Sequence, residues 1–398
     1  MTPFQKRYVE RSGLGDLQEK VLARERLSRD EGLRLYHHDD LLAVGALANH
    51  VREARHGDDA FYIVNQHINH TNICVAGCKF CAFYRTRKQA GAYVLSMEDV
   101  ERRMRERMDE PIREIHMVGG VNPDLPFSYY TDVIRTMKRV RPDVHVKAFT
   151  MVEIAAMAEN FQMPVEEVLV RLRDAGLGSL PGGGAEILTD HAHQVLFKGK
   201  IDHQAWIDIA LTAHRLGLRS NATMLYGHIE TIDERLDHMI LLREAQDISG
   251  GFMAFIPLSF HPENTRLAHI PKPSAAEDLR QLAVGRLMLD NFPHIKAYWI
   301  MMTPRVAQQG LHFGADDLDG TVVTEEIFHE AGAESPQEVA RRQLVDLIEQ
   351  AGRNPVERDT LYNPVGPYPG LDDATRLQPL PSAAPPPRDL RTGFTSLS

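Results

Sequence analysis

FYIVNQHINHTNICVAGCKFCAFYR, residues 61–85, opens as an apolar strand pattern and runs into three cysteines, Cys74, Cys78 and Cys81. The chain has no others. An odd count cannot close a complete disulfide framework. Three thiols within eight residues point to a shared soft metal site. Zinc would need a fourth ligand, which His67, His70 or a distant histidine could supply. The spacing C-x3-C-x2-C favours an iron–sulfur cluster. Three thiolates leave one iron open to a substrate, whereas electron-carrier clusters use a fourth cysteine that is absent here.

Outward from this loop, strand and helix patterns alternate. The short apolar runs are FYIVNQHINHTNI, REIHMVGG, VHVKAFT, LGSLPGGG, SNATMLYG, GFMAFIPL and HIKAYWIMM, with a weaker eighth near Gly320–Val323. Helix start signals lie between them: Ser96 with Asp99, Thr231 with Glu234, Ser274 with Glu277 and Ser335 with Glu338 read as capping boxes. Pro164 and Gly176 bracket another helix, and Gly217 closes the next. Alternation at this rhythm implies a parallel sheet with helical crossovers. We therefore expect an α/β fold, a (β/α)8 TIM-type barrel. Residues 1–57 read as an N-terminal helical segment and 58–330 as the barrel. Residues 331–363 read as a C-terminal helix and closing segment, and 364–398 as a proline-rich tail.

The composition is that of an ordinary globular chain: 398 residues, 43% apolar and 25% charged. A net charge of −10 argues against a nucleic-acid partner. No apolar stretch approaches the roughly 18 residues of a membrane span. The opening MTPFQKRYVERSG has no apolar core, so no signal peptide is expected and the expected compartment is the cytoplasm. A barrel carries its active site after the strands. There stand the cysteine loop, Gly119-Gly120, Thr150 with Glu153, the Pro181–Glu186 turn and Tyr226–Glu230. Asn69 and Thr71, two apart on the first strand, share a face and are substrate-binding candidates. His116, His228 and His261, at or near strand ends, are candidate proton donors or acceptors.

The cysteine loop after a first barrel strand resembles the radical S-adenosylmethionine superfamily. HINHTNICVAGCKFCAFYR, AFTMVEI, AGLGSLPGGGAEI, SNATMLYGHIET, FIPLSFHPENT, RLMLDNFPHIKAYWIMM, DLDGT and AGRNPVERDTLY are similar to the aminodeoxyfutalosine synthases of the futalosine route to menaquinone. The likeness covers about residues 40 to 362. It implies a 4Fe–4S cluster on Cys74, Cys78 and Cys81, with S-adenosylmethionine as a consumed co-substrate. A 5′-deoxyadenosyl radical would add to the small-molecule substrate 3-[(1-carboxyvinyl)oxy]benzoate. The products would be 6-amino-6-deoxyfutalosine, bicarbonate and methionine. The likeness also implies a low-potential electron donor such as flavodoxin or ferredoxin. Phe80 would lie against the adenine, Gly119 and Gly120 near the methionine moiety, and Glu186 on the ribose hydroxyls. Glu230 would lie near adenine and ribose. Arg85 and Arg286 are candidates for the substrate carboxylates.

Two positions depart from the pattern. Val121 stands where many superfamily members have an acid, and Asn122 where this branch has histidine. Asparagine there resembles the sister dehypoxanthine futalosine cyclase. The deazaflavin-precursor synthases share the cysteine loop and are a second alternative. From another class, a zinc-stabilised binding module without catalysis would be colourless.

Overall fold

The structure, a computed structural model, describes residues 1–322 and 325–365. Seven strands form one parallel sheet in chain order: β2 (Asn65–Ile68), β3 (Glu114–Met117), β4 (His145–Ala148), β5 (Leu177–Leu180), β6 (Arg219–Tyr226), β7 (Phe252–Ser259) and β8 (His294–Ile295). Buried on both faces, these strands carry the near-continuous apolar runs expected of a parallel sheet. The first apolar run is split at Val64 into β1 (Asp59–Ile63) and β2. β9 (Asp317–Gly320) pairs with β1 and is bridged to the end of β8 through Lys296 and Asp317. β9 thereby links the end of β8 to β1, the strand that leads into β2. β9 begins three residues before the expected eighth strand, and Val323 lies outside the described residues.

Sequence analysis did not anticipate β10 (Asn354–Glu357), which pairs in parallel with β1 on the side opposite β9. Pro355 lacks an amide hydrogen and is tolerated because β10 is the edge of its three-stranded sheet. HIKAYWIMM is a strand only at its start; Trp299–Met302 turns into a short helix, and the Trp299 indole N–H donates to the Gly320 carbonyl at 2.9 Å.

Ser96 and Thr231 form reciprocal capping boxes with Asp99 and Glu234. Ser274 accepts from the Glu277 amide. Ser335 caps nothing: its hydroxyl donates to the Ile300 carbonyl, Glu338 pairs with Arg107, and the helix begins later, at Arg341. The helix Leu41–His56 packs against Ala275–Met288, so the N-terminal helices clad the outside of the last crossovers. No helix among the described residues is long and apolar enough to cross a membrane. Of the tail expected from residue 364, all beyond 365 lies outside the described residues.

Candidate active site

The loops after the strands enclose a cavity of about 250 Å3. Its wall includes all three cysteines, Phe80, Gly119, Gly120 and Glu186. The cysteine loop is held from within and from outside. The Asn72 amide donates to the Gly91 carbonyl and accepts from the Tyr93 N–H, both at 2.9 Å. The Val75 and Lys79 amides reach the carbonyls of Val121 and Leu196. Gly77 takes a positive φ of 58°, so the loop can turn between Cys74 and Cys78.

All three cysteines are unpaired. Burial pushes the Cys78 thiol up to about 12 and raises Cys81 as well, so both are thiols unless a metal draws off their protons. Around one zinc ion, sulfurs at about 2.3 Å would crowd within about 4 Å of each other. The cysteines do not converge that way. Among the described residues the trio gathered within 4.8 Å is His56, His294 and Asp316, at the opposite end of the barrel. Three thiols spread along the cavity wall fit a cluster with several metal atoms.

A Cβ on Gly119 would lie 2.4 Å from His70 Nε2, and one on Gly120 would lie 2.2 Å from the Ile73 carbonyl oxygen. These glycines let the end of β3 press against the cysteine loop. Their amides are engaged too, Gly119 with Glu153 Oε1 at 3.1 Å and Gly120 with the Thr71 carbonyl at 2.8 Å. Glu153 is a buried hub that also accepts from the Thr150 amide and hydroxyl.

Glu186 sits on the turn after β5 with a φ of +47°, and its carboxylate meets Lys200 Nζ at 2.5 Å. Sequence reasoning missed Lys200, which follows a short helix in FKGK and bears no local signal. Its ammonium lies 5.2 Å from the Phe80 ring centroid. Burial opposes its charge, but Cys78 in its thiolate form and the Glu186 carboxylate outweigh burial and hold it above its ordinary range. A cation fixed beside the cysteines offsets the negative charge that thiolates bring.

The other expected residues divide. His116 and His261 line the cavity. His261 Nε2 lies 2.9 Å from the Met301 carbonyl, while its buried Nδ1 has no protein partner. His228 is outside the cavity, packed against Glu230 at 2.8 Å. Glu230 also lies off the wall. It accepts from the amides of Gly227 and His228 and pairs with Arg235 at 2.7 Å; against burial, the His228 side chain, then Arg235 and the Gly227 amide, hold its carboxyl down at about 2. Asn69 lines the cavity from just past β2, its amide donating to the Val118 carbonyl. Thr71 does not; its hydroxyl donates to the Tyr93 carbonyl at 2.6 Å.

Arg85 folds back onto the carbonyls of Ala82, Phe83 and Tyr84 and pairs with Glu330, so it braces the cysteine loop. Arg286 is fully buried and pairs with Asp316, far from the cavity. Its place in an apolar helix pattern could not say which end of the barrel its guanidinium would join. Asn122 is off the wall as well, its side chain accepting from the Asp124 amide at 3.1 Å in a local turn. Two lysines escaped notice, Lys147 and Lys296, both buried and both on the cavity wall. Each was visible as a lone charge inside an apolar run, VHVKAFT and HIKAYWIMM.

Residues 68–242 match the radical SAM superfamily, and residues 249–368 match the CofH/MqnC C-terminal region. The chain is 46% identical over 351 residues to an aminodeoxyfutalosine synthase of Thermus thermophilus, covering 87% of this chain and 94% of that one. It is 40% identical over 377 residues to the aminodeoxyfutalosine synthase of Streptomyces coelicolor, covering 92% and 97%. Among solved structures it is similar to methylornithine synthase, with a TM-score of 0.66 over 85% of this chain and 97% of that one. At 17% identity that likeness speaks to the fold alone.

Proposed function

We propose, for a chain that belongs to the radical S-adenosylmethionine superfamily and within it to the aminodeoxyfutalosine synthase group, that it makes 6-amino-6-deoxyfutalosine for menaquinone biosynthesis. Enzymes of this superfamily bind a 4Fe–4S cluster and use S-adenosylmethionine. In this chain Cys74, Cys78 and Cys81 are the thiols that would hold the cluster. When bound, it supplies the electron that splits S-adenosylmethionine, whose 5′-deoxyadenosyl radical adds to 3-[(1-carboxyvinyl)oxy]benzoate. The observation that carries this reading is the placement of three unpaired cysteines on the wall of one barrel cavity, in a chain 46% identical to such an enzyme.

The protein's own contribution is positioning and enclosure. Glu186, oriented by Lys200, presents a carboxylate for the ribose hydroxyls. Phe80 offers a half-buried ring for the adenine. Gly119 and Gly120 bring β3 backbone to the cavity beside the cysteine loop. His116 and His261 are the histidines placed to move a proton at the substrate; His228 and Glu230 support the rim from behind. Asn122, bonded within its own turn, contributes no side chain to favour the sister cyclase. A cytoplasmic setting and a low-potential donor such as flavodoxin or ferredoxin complete the reading.

The test is anaerobic. Reconstituted protein is given S-adenosylmethionine, dithionite and, in separate arms, 3-[(1-carboxyvinyl)oxy]benzoate, dehypoxanthine futalosine or the deazaflavin precursors. Substrate-dependent consumption of S-adenosylmethionine in the first arm alone is expected. Consumption confined to another arm overturns the assignment.

A further inference from the structure

Below the rim, the cavity has a floor with a composition of its own. His67, His116 and Lys147 stand in register on β2, β3 and β4, each the third residue of a four-residue strand. They therefore form one inward layer, deeper than the glycines and cysteines beyond the strand ends. The two imidazoles stack with ring centroids 4.5 Å apart. Lys296, just past β8, completes the layer from the other side of the cavity.

This floor is rich in unused donors. Lys147 Nζ meets Glu114 at 2.7 Å, and Lys296 Nζ meets Asp319 at 2.5 Å. Each ammonium carries three N–H groups, and among the described residues each has that one acceptor. Both lysines are at least 97% buried. His67, 92% buried, has an Nε2 with no protein partner. Burial, the neighbouring imidazole and Lys147 hold His116 well below its ordinary range, so the charged donors of the layer are the two lysines, each paired with one carboxylate. Glu114 and Asp319 balance the two ammonium charges, and both Glu114 oxygens lack a hydrogen bond among the described residues, so what the floor offers is N–H groups beyond those ion pairs. Buried donors facing a cavity call for an acceptor, and a carboxylate can accept from both lysines.

We propose that His67, His116, Lys147 and Lys296 form a carboxylate-binding floor that receives the ring carboxylate of the aryl substrate. This rests on the reaction assigned above and deepens it. The enol-ether carbon must meet S-adenosylmethionine at the rim, and the vinyl carboxylate stays beside that carbon. The ring carboxylate is meta to the ether oxygen, so it diverges from the vinyl carboxylate and, with the vinyl carbon at the rim, reaches into the barrel toward the floor. The unused N–H groups of Lys147 and Lys296 donate to it, and His67 Nε2 adds a contact when it carries the proton.

The test compares two ligands, 3-[(1-carboxyvinyl)oxy]benzoate and the same enol ether lacking the ring carboxylate. Affinity for the cluster-loaded enzyme is measured by calorimetry, and turnover by mass spectrometry. Wild type should bind the full substrate at least about tenfold more tightly. Lys147→Met and Lys296→Met should each erase most of that preference and leave the affinity for the shortened ligand unchanged. Because Lys147→Met strands Glu114 in the core, Lys147→Met with Glu114→Gln carries the same comparison with both charges removed. If wild type turns over the full substrate but binds both ligands equally, the floor is overturned and the reaction stands. If the full substrate is neither bound nor turned over while S-adenosylmethionine is cleaved with another acceptor, the reaction falls and the floor falls with it.

Discussion

Both ends of this barrel bury charge, and they complete it differently. At the base, the Asp316 carboxylate accepts from Arg286, from the Ile295 amide at 2.8 Å and pairs with His294 Nδ1 at 2.6 Å. Arg286 donates further to the Gly314, Phe292 and Pro293 carbonyls. His56, His294 and Asp316 converge as metal ligands would, but the guanidinium already occupies that carboxylate. Around the cavity, Lys147, Lys296, His67 and His261 are as deeply buried, yet they leave donors or ring nitrogens without a protein partner. A closed network is scaffold, and an open one awaits a ligand. Charge type alone does not separate them; the partners that each charged group finds do.

The comparison breaks first at the cysteines. Cys74→Ala, Cys78→Ala and Cys81→Ala should each abolish S-adenosylmethionine cleavage, because no fourth cysteine can replace the lost ligand. Their unfolding midpoints, measured without metal, should match wild type. Near-native turnover in any one of them would remove the cysteines from the site. Next comes the base. Asp316→Ala strands Arg286 and should cost about 3–5 kcal/mol of stability in denaturant unfolding. S-adenosylmethionine affinity of the folded fraction should not move.

Glu186→Gln should act chiefly on the ligand, weakening S-adenosylmethionine binding by about 1–3 kcal/mol in equilibrium dialysis with iron content unchanged, while the loss of the carboxylate paired with buried Lys200 also lowers stability. Unchanged binding would reduce Glu186 to a partner of Lys200. The most gradual effect concerns pH. His214 lies between Ser249 and Ser220, and burial holds it down at about 4. An unfolded imidazole titrates near about 6.5. Between these values the unfolded chain takes up a proton that the fold refuses. Stability therefore falls as pH drops from about 6.5 to about 4, by at most about 1.4 kcal/mol per pH unit from this residue. His214→Gln should flatten that slope, while assay of S-adenosylmethionine binding at pH 7 should register no change.

How much of this was legible in the chain follows from how local each signal is. Cap pairs such as Ser96–Asp99 and the short apolar runs act over a few residues, so the alternation and the cysteine loop read directly. β10 did not, because Asn354 and Pro355 spoil its pattern and its partner β1 lies almost 300 residues away. Ser335 and Glu338 satisfied a local rule that tertiary partners, Ile300 and Arg107, overrode. Arg85 and Arg286 were chosen for charge, but the direction of a guanidinium depends on neighbours distant in sequence. Lys147 and Lys296 were the reverse case: a charge inside an apolar strand run must be costly unless it is used, and that signal was available.

The central claim is that the adenosyl carbon becomes part of the product. Anaerobic enzyme given S-adenosylmethionine labelled in the adenosyl group, dithionite and 3-[(1-carboxyvinyl)oxy]benzoate tests it directly by mass spectrometry. The account predicts the label joined covalently to the benzoate in 6-amino-6-deoxyfutalosine. Label recovered entirely as free 5′-deoxyadenosine, with the benzoate unconsumed, would contradict it.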